Sequence, residues 1–255
     1  MNAVPAEFWT TLPLTPGVRV LGADANGLGA LEKPAGVLSH PNRDAGRVRA
    51  LLSADYDFAA ECFTWTPPGG NVARLWLLNR LDSPTSGVIL VAADGALAAD
   101  VKAQFQRKAV EKKYVALVFG QPRAEREVWR DRLAVERREG VVRASTAAGH
   151  IPAESECRVL RAARGTPPLA LLELTPRTGR THQLRVQSAK RGLPIVGDQT
   201  YGDFRRNREF AKATRQKRLF LHSLATDVRY SWAGREWDFS ARSPLPPEFA
   251  AALGG

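Results

Sequence analysis

Hydrophobic and polar positions along the 255-residue chain follow two periods, and each period predicts a type of element. The run "GVILVAA" (87–93) is purely apolar and has the length of a strand, so it predicts a strand that is buried on both faces. After it, Leu97, Val101 and Phe105 recur every four residues, which is the apolar stripe of an amphipathic helix. A buried strand followed by a surface helix is therefore expected over 87–110.

Shorter apolar runs that end at glycine or proline predict the other strands. Residues 17–41 predict two strands around an Asn-Gly turn, and 126–160 predict strand pieces separated by glycine turns. Residues 42–74 carry no clear period and are expected to be irregular. Further strands are predicted at "KKYVALVFG", "LALLELTP", "RLFLHSLATDVRY" and "REWDFSA", and a short helix after Pro247 closes the chain. Helices lie among strands without βαβ alternation, which predicts an α+β fold.

That fold is expected to be a mixed, largely antiparallel central sheet with flanking helices and a central cleft. The length suits one large domain or two small ones. Residues 1–16 contain three prolines and are expected to form a loose N-terminal arm, followed by one domain over 17–255. We expect a monomer.

The charge balance favours a polyanionic partner. Lys and Arg number 37 against 26 Asp and Glu, a net charge of +11, which suits nucleic acid better than a membrane. Simple solubility is the alternative explanation. No apolar run approaches the roughly 18 residues of a membrane span. Cys62 and Cys157 form neither a disulfide framework nor a metal spacing, and no signal peptide is evident, so a reduced, cytoplasmic protein is expected.

Common cofactor and metal motifs are missing from the sequence. It contains no Walker A loop, no G-x-G-x-x-G after a strand, and no H-E-x-x-H or C-x-x-C pattern. The four histidines are scattered, which is unlike the ligand spacing of a zinc site. We therefore expect neither a metal nor a nucleotide cofactor.

Two short segments carry the candidate chemistry. In "NRLDSPTSG" (79–87), Arg80 and Asp82 precede a turn and a buried strand, so the carboxylate should lie at the mouth of that strand. An Asp at this place commonly caps a turn, and Arg80 could equally form a surface ion pair. In "TPRTGRTHQLRVQ" (175–187), Arg180, His182 and Arg185 fall close together.

The second segment is either extended or helical. If 182–187 is extended, Gln183, Arg185 and Gln187 share one face, and Arg185 could reach into a cleft and pair with Asp82. Such a pair would keep the carboxylate ionised. A purely structural ion pair for Arg185 is an equal alternative.

Five blocks, in order, resemble the signature blocks of the RluA-type pseudouridine synthases. The resemblance extends over roughly residues 17 to 243. Where the family has H-R-L-D, this chain has Asn79, and where the family often has Val-His, it has Val186 and Gln187. The blocks are "EKPAGVLSHP", "NRLDSPTSGVILVA", "EKKYVALVFG", "TPRTGRTHQLRVQSA" and "LPIVGDQTYG".

The resemblance implies an isomerase that breaks the N1–C1′ bond of a uridine in RNA, rotates the base and joins C5 to C1′. It implies that Asp82 is the catalytic carboxylate, acting either as a nucleophile or as a base toward the sugar. Arg185 matches the family cation. Tyr114 matches the tyrosine that stacks on the base and handles the C5 proton, although a strand tyrosine that fills the core is the alternative.

The resemblance also implies which residues touch RNA. Arg80 matches the arginine that contacts the flipped nucleotide, and Leu184 would supply an apolar contact. Arg180 and His182, with the basic stretch 205–218, are expected to face the RNA, although 205–218 could also be a solvated helix.

The resemblance leaves the RNA target open between ribosomal and transfer RNA. Some relatives carry an N-terminal S4 domain, and the 16 residues before the first strand are expected to be too few for one. A non-catalytic RNA-binding or chaperone protein is the main alternative function. A glycoside hydrolase is the other, and it needs a second carboxylate.

Overall fold

The computed structural model describes residues 4–42, 49–68, 70–138, 141–146 and 149–254. These residues form thirteen strands and five helices. The strands are β1 (Arg19–Ala23), β2 (Leu28–Lys33), β3 (Asp55–Asp57), β4 (Cys62–Trp65), β5 (Ala73–Leu77), β6 (Ser86–Ala92), β7 (Val110–Phe119), β8 (Arg126–Arg138), β9 (Val141–Ser145), β10 (Ile151–Ala163), β11 (Leu169–Pro176), β12 (Leu221–Trp232) and β13 (Arg235–Arg242). The helices are α1 (Ala6–Thr10), α2 (Gly95–Gln106), α3 (Gln183–Lys190), α4 (Phe204–Thr214) and α5 (Pro247–Ala251).

The chain divides into two compact units. The first contains Met1–Val110 and Ser223–Ser243, and the second contains Glu111–His222 and Pro244–Gly255. In the first unit the strand order is β3-β4-β5-β6-β12, with β2 also on β6, β1 on β2 and β13 on β12. In the second unit the order is β7-β11-β10-β8-β9, and each neighbouring pair is antiparallel.

The predicted buried strand and its helix form the core of the first unit. All seven residues of β6 are buried, and Leu97 and Val101 of α2 pack on the same cluster, with Phe105 at its margin. The carboxylate of Asp94 begins α2 by accepting hydrogen bonds from the backbone N–H groups of Ala96 and Leu97. The apolar period therefore predicted both elements correctly.

Residues 4–16 are ordered against the first unit, so the expectation of a loose arm is wrong. Helix α1 buries Trp9, whose ring occupies the space above Gly29. A Cβ atom at Gly29 would lie 2.3 Å from that ring. The glycine thus makes room for the indole, and burial of so large an apolar group holds the arm in place. A single catalytic domain over 17–255 stays a prediction.

Aromatic side chains fill the core of the second unit. Phe210 of α4 contacts both Phe119 and Phe220 edge-on, at centroid distances of 6.1 and 5.4 Å. Phe249 of α5 lies 5.0 Å from Phe220. Such pairs stabilise beyond their buried area. They attach α4 and α5 to the sheet of this unit.

The α+β class and the largely antiparallel sheet are confirmed. The expectation that 42–74 is irregular is wrong for the residues that are described, because β3, β4 and the first two residues of β5 lie there. Residues 43–48 and residue 69 fall outside the described residues. These three strands are only three to five residues long, too short to show a period. Among the described residues, no helix has the length and apolar character needed to cross a membrane.

Candidate active site

The loop that carries Arg80 and Asp82 joins β5 to β6 in the first unit. At its start, Leu78 N–H donates to the Leu90 carbonyl, and Asn79 Oδ1 accepts from the Leu90 N–H at 2.8 Å. The Asn79 side chain thereby continues the pairing of the two strands beyond the end of β5. This contact gives Asn79, one of the two departures from the family pattern, a structural role.

Ser39 holds the middle of this loop. Its hydroxyl donates to the Leu81 carbonyl at 2.8 Å and accepts from the Leu81 N–H at 3.0 Å. Both residues are buried, so the two backbone groups of Leu81 are satisfied by one side chain. The positions of Arg80 and Asp82, on either side of Leu81, are consequently fixed.

A buried lysine fastens the end of the loop. Lys33 is fully buried, and its ammonium group donates to the carbonyls of Pro34, Val37 and Ser83 at 3.1, 2.6 and 2.8 Å. The Ser83 carbonyl also accepts from the Gly36 N–H at 2.8 Å. A buried charge is tolerated only where hydrogen bonds satisfy it, so Lys33 ties the "KPAG" segment to the Asp82 loop.

Asp82 lies at the turn itself. Its backbone carbonyl accepts from the Thr85 N–H at 2.9 Å, which closes the turn, and its side chain is half-buried. Arg80 is exposed. Asp82 therefore lies at the mouth of β6, as predicted from the sequence. A carboxylate at such an accessible turn can contact a large substrate.

The second segment contains a turn and then a helix, so the extended alternative for 182–187 is wrong. His182 adopts the left-handed conformation, with φ of 52°, and α3 begins directly after it. The Gln183 side-chain oxygen accepts from the Arg180 N–H and the Thr178 hydroxyl, at 3.0 and 2.7 Å. These bonds hold the chain in a tight turn that leads into the helix. Gln183 and Gln187 then share a helical face, and Arg185 points in another direction.

Gln187, the second departure from the family pattern, is fully buried and anchors α3. Its amide group donates to the Asp131 carboxylate at 2.8 Å and to the Trp129 carbonyl at 3.1 Å. Its oxygen accepts from the Ser155 hydroxyl at 2.8 Å. Three partners on β8 and β10 therefore fix the helix, and the glutamine has a structural function.

Arg185 forms a buried, bidentate ion pair with Asp198. Its Nε lies 2.8 Å from Oδ2 and its Nη2 lies 2.9 Å from Oδ1, and the guanidinium lies 5.1 Å from the centre of the Tyr201 ring. Asp198 also accepts from the N–H groups of Thr200 and Tyr201. Burial alone would raise the pKa of Asp198, but Arg185 and these two N–H groups outweigh it and hold the pKa below its usual value.

Asp198 was not among the site residues predicted from the sequence, although it lies inside the block "LPIVGDQTYG". The partner predicted for Arg185 was Asp82, and that pairing stays a prediction. The feature of the sequence that could have pointed to Asp198 is the glycine directly before it, Gly197. Gly197 has a φ of +78°, and a Cβ atom there would lie 1.8 Å from the Arg218 carbonyl oxygen, so only glycine lets the chain pass.

Asn207 of α4 completes the support of Asp198. Its side-chain oxygen accepts from the Gly197 N–H at 2.8 Å, and its amide group donates to the Asp198 carbonyl at 2.9 Å. Asn207 is buried. The basic stretch predicted at 205–218 thus contains a helix whose inner face holds the partner of Arg185.

The other predicted site residues of the second unit lie on its sheet and on the turn. Tyr114 is half-buried on β7, opposite Leu174 of β11. His182 Nδ1 is hydrogen bonded to the Tyr201 hydroxyl at 2.8 Å. Leu184 is buried, and Arg180 is exposed. The structure therefore groups these residues with Arg185 in one unit, and Arg80 with Asp82 in the other.

The fold and these sequence blocks point to one class of protein. The family model described as RNA pseudouridylate synthase matches residues 28–190. This match includes both segments, and the chain belongs to that family.

Two curated relatives are similar to this chain over most of its length. The ribosomal large subunit pseudouridine synthase C of Vibrio cholerae serotype O1 is 36% identical over 183 residues, which cover 70% of this chain and 54% of the relative. The tRNA pseudouridine synthase C of the same organism is 30% identical over 212 residues, which cover 79% of this chain and 80% of the relative. The match thus spans about half the length of the first relative.

A solved structure has the same fold. Human RNA pseudouridylate synthase domain containing 1 superposes with a TM-score of 0.66 and 24% sequence identity, over 92% of this chain and 87% of the human one. The expectation of a pseudouridine synthase fold is confirmed.

Proposed function

We propose that this protein converts uridine to pseudouridine in structured RNA, either ribosomal or transfer RNA. The family match supports the reaction class. One relative is named for the ribosomal large subunit and another for tRNA, which supports these two RNA classes as candidates. The net charge of +11 suits either substrate.

The observation that carries the proposal is that half-buried Asp82 lies on a loop whose backbone is held on both sides. Its loop is held by Ser39 on one side and by Lys33 on the other. A carboxylate held in this way can attack C1′ as a nucleophile, or it can remove a sugar proton and give a glycal. Both routes break the N1–C1′ bond, and C5 of the rotated base then joins C1′. Preorganisation of the acting group lowers the cost of either step.

Arg185 and Tyr114 complete the proposed catalytic set. We assign to Arg185 the role of the cation that keeps the catalytic carboxylate ionised, and its pairing with Asp198 supports this role because it fixes the guanidinium plane. Tyr114 offers an aromatic face for the base and a phenol for the proton that leaves C5. Its half-buried position on β7 is compatible with both functions.

The remaining predicted residues are assigned to RNA binding. Arg80 would contact the nucleotide that leaves its stack, since its side chain is exposed beside Asp82. Arg180 is also exposed and would meet phosphate, while His182 and Leu184 would line the nucleotide site. We propose that the enzyme acts as a cytoplasmic monomer. The isomerisation transfers no electrons and no group to another molecule, so we propose that it needs no nucleotide cofactor.

The test compares the wild-type protein with Asp82→Asn and, as a matched control, with Asp238→Asn, an exposed carboxylate of the first unit. Each is incubated with ribosomal and with transfer RNA, and pseudouridine is mapped by carbodiimide labelling. Asp82→Asn should retain RNA binding and lose at least about a hundredfold in rate, whereas the control should match the wild type. Equal pseudouridine in wild type and Asp82→Asn, or none with the wild type, would overturn the proposal. Release of free uracil would instead indicate hydrolysis.

A further inference from the structure

Three aromatic side chains of the first unit contact one another near the Arg80–Asp82 loop. His40 is stacked on Tyr56 with ring centroids 5.2 Å apart and an interplanar angle of 12°. Phe58 meets both rings edge-on, 5.9 Å from His40 and 5.1 Å from Tyr56. Phe58 is 38% exposed, and His40 and Tyr56 are half-buried. These three residues are called the aromatic surface below.

The aromatic surface is attached rigidly to the candidate active site. His40 directly follows Ser39, whose hydroxyl makes both hydrogen bonds to Leu81, the residue between Arg80 and Asp82. Tyr56 also packs against the buried ring of Phe63, with the two ring centroids 4.8 Å apart. His40 is therefore joined through Ser39 to the Arg80–Asp82 loop.

Charged residues of both signs act on the aromatic surface. Burial raises the pKa of Tyr56, with a further contribution from Glu61, while Arg80 acts in the opposite direction. The charge of Arg80 thus acts on the Tyr56 hydroxyl and lowers its pKa. Glu61 is paired with Lys102 at 2.8 Å, and the pKa of Glu61 is lowered, chiefly by that hydrogen bond.

The acidic residues next to Tyr56 point elsewhere. Asp55 and Asp57 flank it on β3, and because side chains alternate along a strand they lie on the opposite face. The Asp57 carboxylate accepts from the N–H groups of Ala59 and Ala60. The Asp57 carboxylate is thus engaged by the turn that follows it, although its charge still contributes to the raised pKa of Tyr56.

We propose that the aromatic surface stacks a nucleobase of the RNA substrate that neighbours the target uridine. This inference rests on the proposed function. Once a target base leaves its stack, its neighbours lose a stacking partner, and exposed aromatic rings beside a cation are the usual protein replacement.

The test uses Phe58→Leu, which removes the ring and keeps the apolar volume, and Phe58→Trp, which keeps a ring. The matched control is Trp237→Leu, an aromatic residue of the same unit that is 36% exposed. Binding is measured by fluorescence anisotropy with a short labelled oligouridylate and with an abasic strand of the same length and charge. Steady-state kinetics of pseudouridine formation are measured on the RNA that the wild type modifies.

Phe58→Leu should weaken oligouridylate binding about tenfold, which is a typical value for the loss of one stacked base. It should leave abasic-strand binding as in the wild type, and should raise KM more than it lowers kcat. Phe58→Trp should bind as the wild type does, with fluorescence of the added indole quenched by RNA, a readout that does not depend on the leucine variant being stable.

Two results would overturn the inference. One is equal weakening on the oligouridylate and the abasic strand, which would show that Phe58 acts through folding or charge. The other is no change in either binding or KM with Phe58→Leu. In both cases pseudouridine formation by the wild type would leave the proposed function standing. Absence of pseudouridine with the wild type would remove the proposed function itself, together with the substrate on which this inference depends.

Discussion

Arg185 and Asp198 face each other in a bidentate ion pair in which neither side chain is more than 5% exposed. Asp198 is in turn held by two backbone N–H groups and, through its carbonyl, by Asn207. The pair therefore connects α3, which carries Arg185, to the glycine-bounded loop before α4. A guanidinium held along two parallel hydrogen bonds has a fixed plane, and this precision is what the proposed catalytic role of Arg185 needs.

Asp198→Asn should destabilise the protein and slow the reaction. The amide cannot match the guanidinium with two charged acceptors, and breaking a buried ion pair costs about 3 kcal/mol or more. We expect a lower midpoint of urea unfolding and a lower kcat for pseudouridine formation, measured under conditions where the variant is folded.

The control for this variant is Asp238→Asn. Asp238 also pairs with an arginine, Arg229, at 2.8 and 3.3 Å, but both side chains are about 70% exposed. Solvent screens such pairs, so the unfolding midpoint should not change measurably. If the two variants lose the same stability, burial is not what gives the Arg185 pair its strength.

Lys33→Met should loosen the Asp82 loop. The methionine keeps most of the apolar stem but removes the donor for the carbonyls of Pro34, Val37 and Ser83. A shielded carbonyl that loses its donor costs about 1–3 kcal/mol. The Ser83 carbonyl keeps the Gly36 N–H, so the cost falls on the carbonyls of Pro34 and Val37, and we expect a lower midpoint of urea unfolding and a lower kcat. Lys102→Met, which removes a half-exposed lysine of the same unit, should change both much less. Wild-type kcat in Lys33→Met would show that the loop keeps its shape without the ammonium.

The Asp131 carboxylate should stabilise the protein at neutral pH and lose this effect as the pH falls. Asp131 accepts hydrogen bonds from Lys190 at 2.7 Å, Arg191 at 2.9 Å and Gln187 at 2.8 Å. Burial would raise its pKa, but these three donors outweigh burial and lower it. The folded pKa is thus below the unfolded value of about 3.9. The stabilisation is complete above the unfolded pKa and is lost as the pH falls through the folded pKa.

Asp131→Asn removes this carboxylate and should therefore reduce the free energy of unfolding at neutral pH. The difference from the wild type should be constant down to about pH 5 and should shrink as the pH falls below about 4. Urea unfolding at a series of pH values measures it. A difference that grows toward low pH would mean that the carboxylate is not the stabilising form.

The exposed basic residues of α4 should contribute to RNA affinity and little to stability. Arg205, Arg208 and Lys212 are exposed on the helix whose inner face carries Asn207 and Phe210. Their triple replacement by alanine, a strong helix former, should lower the slope of log Kd against log salt by about 2. Thermal unfolding should stay close to that of the wild type.

The charge-matched control replaces Arg123, Arg126 and Arg130, also exposed in the second unit. It removes the same number of positive charges. If the two triple variants have the same salt dependence, α4 is a solvated helix and the affinity for RNA depends only on the net charge of the protein.

The sequence by itself determined the buried strand over 87–93, the helix after it and the resemblance to a family. Both elements follow from the spacing of apolar residues a few positions apart, which a local pattern records. The five blocks likewise keep their order and spacing in the printed chain. Asp82, Tyr114 and Arg185 could be singled out as the chemical candidates for the same reason.

Only the tertiary structure decided how these candidates are held. The sequence left 182–187 open between strand and helix, and the buried partners of Gln183 and Gln187 on distant strands settle it as α3. The sequence suggested Asp82 as a partner for Arg185 and did not show that Asp198 is its partner. It also did not show that Lys33 is buried and joins two segments. Hydrogen bonds and ion pairs of this kind join residues that are far apart in the chain, and their strength depends on burial, which no local pattern of residues records.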